Sequence, residues 1–256
     1  MRTDRGFRDC QTAEFTAGAR LLSCLPDIRN RWHSSAARAN IKSAFTASVK
    51  TLYTNLMLAT SGQPPKILLI GSTEPGEGKT TIAACLGLDQ AAAGSRTLIV
   101  DLNLRTPALH TLFNLDRAPG LAELLAGDVA LEQVIHTDPA SGVEIITAGA
   151  TCEDAADLLT GDNIDMLLQM LRERYDLVIL DSPAYVSWAD SRILLDKSDA
   201  TVFVVRWAQT RCRRVRRTLA QIRISRDQPI GIALNRVDVK SYARNGYQNA
   251  GCDTGR

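Results

Sequence analysis

Lys79 and Thr80 close a glycine-bearing stretch, Gly71-Ser-Thr-Glu-Pro-Gly-Glu-Gly-Lys-Thr-Thr81, that follows the apolar run Lys66-Ile-Leu-Leu-Ile70 and leads into Ile82-Ala-Ala-Cys-Leu-Gly-Leu. A strand, a loop with glycines at 76 and 78, and a helix start are expected in that order. Such a loop turns its backbone N–H groups toward phosphate oxygens, and the helix N-terminus behind it adds partial positive charge. Lys79 would carry a full charge to the outer phosphates of a nucleoside triphosphate, and the Thr80 hydroxyl would supply one ligand to Mg²⁺. The expected nucleotide-binding set is therefore Thr73, Glu74, Pro75, Gly76, Glu77, Gly78, Lys79, Thr80 and Thr81. The strict G-x-x-x-x-G-K-[ST] spacing asks for a glycine where Thr73 stands. A glycine-rich turn that binds nothing is the alternative, and the flanking strand and helix weigh against it.

Two aspartates could complete this chemistry. Asp181 ends the apolar run Leu177-Val-Ile-Leu180, where an acid would hold Mg²⁺ directly or through water; a plain helix N-cap is the other use of a strand-end aspartate. Asp101 ends Thr97-Leu-Ile-Val and could orient or deprotonate an incoming hydroxyl, or bind the water shell of the metal. Lys79, Asp101 and Asp181 are thus the expected catalytic residues, and Thr80, Asp101 and Asp181 the expected metal set.

The elements that must position these groups are short apolar runs without polar alternation. Val143–Thr147, Asp176–Leu180, Ala200–Val205 and Ile230–Leu234 share that character with the first two, and helical stretches separate most of them. Strands alternating with helices predict an α/β fold in three layers, a mainly parallel sheet with helices on both faces. Ligands in such sheets sit beyond the carboxyl ends of the strands. Ile41, Phe45, Val49, Leu52 and Leu56 recur at three- and four-residue spacing, which predicts an amphipathic helix from about Ser35 to Met57, broken by Ser61-Gly-Gln-Pro-Pro65. Residues 1–35 show no dominant period and are expected to form a tail or linker; 36–238 would be the main domain and 239–256 a flexible tail.

At 256 residues, 45% apolar and 23% charged, the chain can bury one sizeable core. No apolar run is long enough to span a bilayer and the Arg-rich opening lacks the apolar part of a secretory signal, so a cytoplasmic location is expected. Cys10, Cys24, Cys85, Cys152, Cys212 and Cys252 form no C-x-x-C pair, and His33, His110 and His136 share no metal-ligand spacing. A net charge of +2 and a pI near 8.2 fall short of a strongly basic nucleic-acid footprint, so no specific nucleic-acid partner is expected.

Together these segments resemble the bacterial tyrosine kinases (BY-kinases) of capsule and exopolysaccharide export, relatives of the MinD/ParA-type P-loop ATPases. The resemblance rests on Ser72 to Thr80, on Leu98-Ile-Val-Asp101-Leu-Asn-Leu-Arg105-Thr-Pro107, and on Tyr175-Asp-Leu-Val-Ile-Leu-Asp181-Ser-Pro183. It covers about Ile41 to Asp238. It implies an ATP- and Mg²⁺-dependent protein-tyrosine autokinase with a P-loop NTPase fold, regulating exopolysaccharide or capsular polysaccharide biosynthesis. ATP would donate its γ-phosphoryl group to tyrosines in the C-terminal tail of a neighbouring subunit, here Tyr242 and Tyr247. Asn235 would contact adenine by the same analogy, a polar strand cap being the alternative. The implied partner is a membrane polysaccharide co-polymerase, a chain-length regulator fused to the kinase in some relatives and separate in others. It would hold the chain at the inner face of the membrane, and a homo-oligomer is also implied.

The chain departs from that pattern in places. The second acid of the family's Asp-x-Asp motif is Asn103, which removes one charge from the site. Only Lys50 survives of the three charges in the family's E-x-x-R-x-x-R oligomerisation motif, the other places holding Ala47 and Tyr53. A switch that binds ATP and regulates a membrane polysaccharide co-polymerase without phosphorylating tyrosine is the rival reading. In Arg211-Cys-Arg-Arg-Val-Arg-Arg217, a helix would line up Val215, Leu219 and Ile222 and spread arginines over the rest, either as a solvated face or as attraction for an anionic surface or acidic partner.

Overall fold

A computed structural model describes residues 19–28, 44–60, 63–152, 155–185, 194–223 and 229–238. Its strands are β1 (Arg20–Pro26), β2 (Ile67–Ser72), β3 (Thr97–Asp101), β4 (Ile135–Thr137), β5 (Glu144–Ile146), β6 (Leu177–Asp181), β7 (Ala200–Arg206) and β8 (Ile230–Val237). The helices are α1 (Ala44–Ala59), α2 (Lys79–Ala92), α3 (Leu109–Phe113), α4 (Leu121–Ala126), α5 (Leu131–Val134), α6 (Ala155–Thr160), α7 (Asp162–Arg174) and α8 (Cys212–Arg223). The strands make one sheet in the order β1-β8-β7-β2-β6-β3-β5-β4. Every pairing is parallel except that of β4 with β5. The expected α/β architecture is present.

Period-two alternation divides each central strand between two cores. Ile67, Leu69, Leu98, Val100, Val178, Leu180, Phe203 and Val205 pack with α4, α7 and α8 on one face. Leu68, Ile70, Ile99, Leu177, Ile179, Val202 and Val204 pack with α1, α2 and α3 on the other. With both faces covered, none of these strands shows polar alternation, which is why continuous apolar runs mark them in the sequence. The predicted stripe of α1 is buried at Phe45, Val49, Leu52 and Leu56. Lys50 pairs with Asp89 of α2 and Tyr53 packs against the core, so this face of α1 serves internal packing. No helix among the described residues is long and apolar enough to cross a membrane.

The expectation of a tail over 1–35 needs correction where it meets described residues. Arg20–Pro26 is an edge strand running parallel to β8, with Leu22 and Leu25 at 1% and 0% exposure. Asn55 Nδ2 on α1 donates to the Leu22 carbonyl at 2.6 Å, and Ser23 Oγ to the Ser48 carbonyl at 2.8 Å. The strand reads as linker because its partner lies near the far end of the chain and both its faces are covered. Pairing is close at Gly231, where a Cβ would stand 2.3 Å from Leu22 Cδ1. Leu25→Ala is expected to lower unfolding stability by about 2–4 kcal/mol, the usual cost of truncating a buried leucine. Denaturant titration reads this directly; a change near that of a surface substitution would return the segment to a tail. The expected C-terminal tail, with Tyr242 and Tyr247, lies outside the described residues.

Candidate active site

Beyond the end of β2 the chain turns through two left-handed glycines, Gly76 with φ +76° and Gly78 with φ +101°. A Cβ on Gly78 would also lie 2.2 Å from Asn235 Nδ2, so dihedral and space both demand glycine there. No side chain caps the first turn of α2, which leaves its leading N–H groups directed at the mouth of the loop. Lys79 opens the helix at 8% exposure, its Nζ donating to Ser72 Oγ at 2.9 Å. Ser72 Oγ in turn donates to the Glu74 carbonyl at 2.8 Å. Burial lowers the lysine pKa, and the negative charges of Asp181 and Glu77 oppose that.

The two acids arrive together because β3 and β6 are neighbours, with Asp101 and Asp181 directly paired across the ladder. Asp181 is fully sequestered, accepts a hydrogen bond from Thr80, and has one oxygen, Oδ1, with no partner. Burial, and then the charge of Asp101, push its carboxyl up to about 7, against the pull of Thr80 and Lys79. Asp101 is raised to about 6, chiefly by burial, while backbone N–H groups of Leu109, Asn103 and Ala108 hold it down. Those three bonds, at 3.1, 3.1 and 3.2 Å, fix the loop that follows β3.

A cleft of about 300 Å³ opens above these groups. Pro75, Gly76, Gly78, Lys79, Thr80 and Thr81 form one wall; Asn103, Thr106, Pro183 and Arg236 are among those facing them. The expected site residues Thr73, Glu74, Glu77, Asn235, Asp101 and Asp181 do not line it, Asp181 lying buried behind Thr80. Glu77, 2% exposed, turns away from the cleft and braces the loop from behind. Its Oε2 accepts from Glu74 N at 2.7 Å, and its Oε1 from Arg206 N at 3.2 Å and from the Thr210 hydroxyl. Asn235 Nδ2 donates to the Glu77 carbonyl at 2.8 Å, and its Oδ1 accepts from Arg236 N at 2.8 Å. Glu74 pairs outward with Arg214, and Thr73 Oγ1 is buried without a partner.

These side chains belong to the loop's scaffold because a tight turn around an anion must be held from outside. The open proton acceptor expected at Asp101 is likewise not found: its oxygens face loop amides and its exposure is 0%. Arg236 was not among the expected residues. It follows the last apolar run, within β8 but in the left-handed region, φ +57°, and a single arginine near a strand end carries no motif.

Whether these residues suit a magnesium-bound polyphosphate can be judged from their unmet valences. Asp181 Oδ1 is a buried oxygen without a donor, Thr80 bonds the same carboxyl, and the first amides of α2 are uncapped. No cluster of three or more His, Cys, Asp or Glu among the described residues would hold a metal unaided. Mg²⁺ ordinarily takes one or two carboxylates together with phosphate oxygens and water, so the set fits.

Comparison with known proteins agrees with this arrangement. The chain is 32% identical over 200 residues to a putative tyrosine-protein kinase, EpsB, of Ralstonia nicotianae, covering 78% of this chain and 26% of that protein. It is 28% identical over 187 residues to the succinoglycan biosynthesis transport protein ExoP of Rhizobium meliloti, covering 72% and 24%. The chain therefore spans about a quarter of the length of these relatives. Among solved structures, the kinase domain of Escherichia coli tyrosine kinase ETK superposes with a TM-score of 0.80 at 26% identity, over 88% of this chain and 93% of that one. The septum site-determining protein MinD of Pyrococcus horikoshii, solved with Mg-ADP, shares the fold at a TM-score of 0.58 and 24% identity, over 68% and 71%. Residues 65–228, with the phosphate loop, both acids and most of the sheet, match the family model described as AAA domain (AAA_31), and the chain belongs to that family.

Proposed function

We propose that this chain is an ATP- and Mg²⁺-dependent protein-tyrosine kinase acting in the biosynthesis and export of an extracellular polysaccharide. The observation that carries the reading is that Lys79 and Thr80 line one open cleft while Asp181 lies buried behind them, bonded by Thr80 and with one carboxylate oxygen unpartnered. Relatives named a putative tyrosine-protein kinase and a succinoglycan biosynthesis transport protein suggest the acceptor and the pathway class. Bound Mg²⁺ would neutralise charge on the transferring phosphoryl group.

The chain's own residues would position and stabilise. Loop amides and Lys79 hold the outer phosphates, Thr80 and Asp181 present oxygens to the metal, and Asp101 fixes the 102–109 loop that forms the facing wall. Phosphoryl transfer has a loose transition state, so in-line positioning and charge neutralisation carry most of the work. The acceptors would be Tyr242 and Tyr247, and the partner a membrane polysaccharide co-polymerase, fused or separate, that holds the chain at the inner face of the membrane.

Incubation with γ-labelled ATP tests this. Label on tyrosine that is lost in Lys79→Met and in a Tyr242→Phe/Tyr247→Phe double variant is the expected result. A second reading, an ATP-hydrolysing switch that does not phosphorylate tyrosine, is favoured by Asn103. Its carboxamide replaces an acid at the cleft and is committed to a turn, donating to the Thr106 carbonyl at 2.6 Å. Released phosphate with no labelled protein would establish the switch instead.

The scaffold role of Asn235 has its own test. Asn235→Ala is expected to weaken ATP and GTP alike, by about threefold to tenfold, because a buried loop hydrogen bond is lost. Selective loss of ATP in a competition titration would restore the adenine contact.

A further inference from the structure

Arg211, Arg213, Arg214 and Arg217 line a groove of about 280 Å³ at the start of α8. Arg213 and Arg217 are four residues apart and Arg214 three from Arg217, so α8 brings them to one side, with Arg211 just ahead of its first turn. Val215, Leu219 and Ile222 are buried in the core on the other side, which fixes the basic face outward. Arg214 grips a carboxylate: its Nη1 donates to Glu74 Oε1. Glu74 belongs to the phosphate loop, and its main chain is tied into the site at both ends. Its N–H donates to Glu77 Oε2 at 2.7 Å, and its carbonyl accepts from Ser72 Oγ, the hydroxyl that receives Lys79 Nζ.

We propose that this groove docks an acidic polypeptide segment, and that a partner carboxylate taking Arg214 from Glu74 weakens nucleotide binding in the adjoining cleft. Arginine forks match carboxylates in two-point geometry, and Glu74 shows that a carboxylate is accepted by one of them, through Arg214 Nη1. A single small anion can touch only part of a groove walled by four arginines, whereas spaced carboxylates on an extended chain can follow its length. A membrane surface suits the site less, since Val215, Leu219 and Ile222, the large apolar residues of α8, are turned into the core. Released from Arg214, Glu74 would keep a full negative charge beside the phosphate cradle, and like charges repel. By linkage, nucleotide must weaken the acidic segment by the same factor.

The coupling rests on the nucleotide reading above; the docking does not, and the experiment separates them. Fluorescein-labelled oligoglutamate is titrated with the full chain and followed by anisotropy. An Arg211→Gln/Arg217→Gln variant is expected to bind it about tenfold more weakly, as interfacial charge contacts are lost, and to bind nucleotide as wild type does. Saturating oligoglutamate is expected to raise the Kd for a fluorescent ATP analogue about threefold to tenfold in wild type. The rise should vanish in Glu74→Gln and in Arg214→Gln. Equal oligoglutamate binding by the double variant would overturn the proposal. So would sedimentation with phosphatidylserine vesicles in the absence of oligoglutamate binding, or an unchanged nucleotide Kd when the groove is full. Oligoglutamate binding through these arginines with no nucleotide binding at all would sink the cleft reading and the coupling while upholding the docking site.

Discussion

Lys79→Met should weaken Mg-ATP binding and any phosphoryl transfer by about 10²–10³-fold, the range seen when one preorganised charge-stabilising donor is removed. Methionine keeps most of the stem's packing but removes a buried ammonium that Asp181 and Glu77 attract and Ser72 Oγ receives at 2.9 Å. The lost charge also counted toward keeping Asp181 ionised, so the variant should require higher pH for whatever metal binding remains. Calorimetric titration with Mg-ATP measures the first effect and its repetition at several pH values the second. Near-native affinity in Lys79→Met would mean that the lysine points away from the phosphates, and the cleft would lose its assignment.

Asp181→Asn is expected to abolish the Mg²⁺ dependence of nucleotide binding while making the ligand-free fold less sensitive to alkali. Asp101 and Asp181 are held above the ordinary carboxylate value, at about 6 and about 7, so the folded chain keeps protons that the unfolded chain has released. Stability gained this way is whole below about pH 4 and is lost as pH climbs through the folded values. Wild-type Tm without ligand should therefore fall between about pH 5 and pH 8, and the gain in Tm on adding Mg-ATP should grow over the same interval. At about pH 8 the asparagine variant avoids one of two buried negative charges on adjacent strands, an advantage of at most about 4 kcal/mol. Thermal unfolding across pH, with and without Mg-ATP, reads all of this. A wild-type Tm that rises from pH 5 to pH 8, or an undiminished Mg²⁺ requirement in Asp181→Asn, would contradict it.

The sequence alone determined those features whose cause is local. Continuous apolar runs marked β2, β3, β5, β6, β7 and β8 because two-sided burial removes polar alternation, and the stripe from Phe45 to Leu56 marked α1 because one helical face meets the sheet. Gly76, Gly78, Lys79 and Thr80 were legible because an anion-binding turn before a helix dictates residue types at fixed spacing.

Only the tertiary structure decided what depends on partners distant in the chain. Arg20–Pro26 became a strand when β8 paired with it, Arg236 reached the cleft through its own left-handed backbone near the end of β8, and the Asp101–Asp181 pair exists because β3 and β6 are neighbours. The motif could not distinguish loop residues that face the ligand from those that hold the loop. Glu77 and Asn235 were sorted to the scaffold, and Glu74 to Arg214, by the placement of β7, α8 and β8 around the turn. A side chain's direction follows from what surrounds it in space, and spacing along the chain carries none of that.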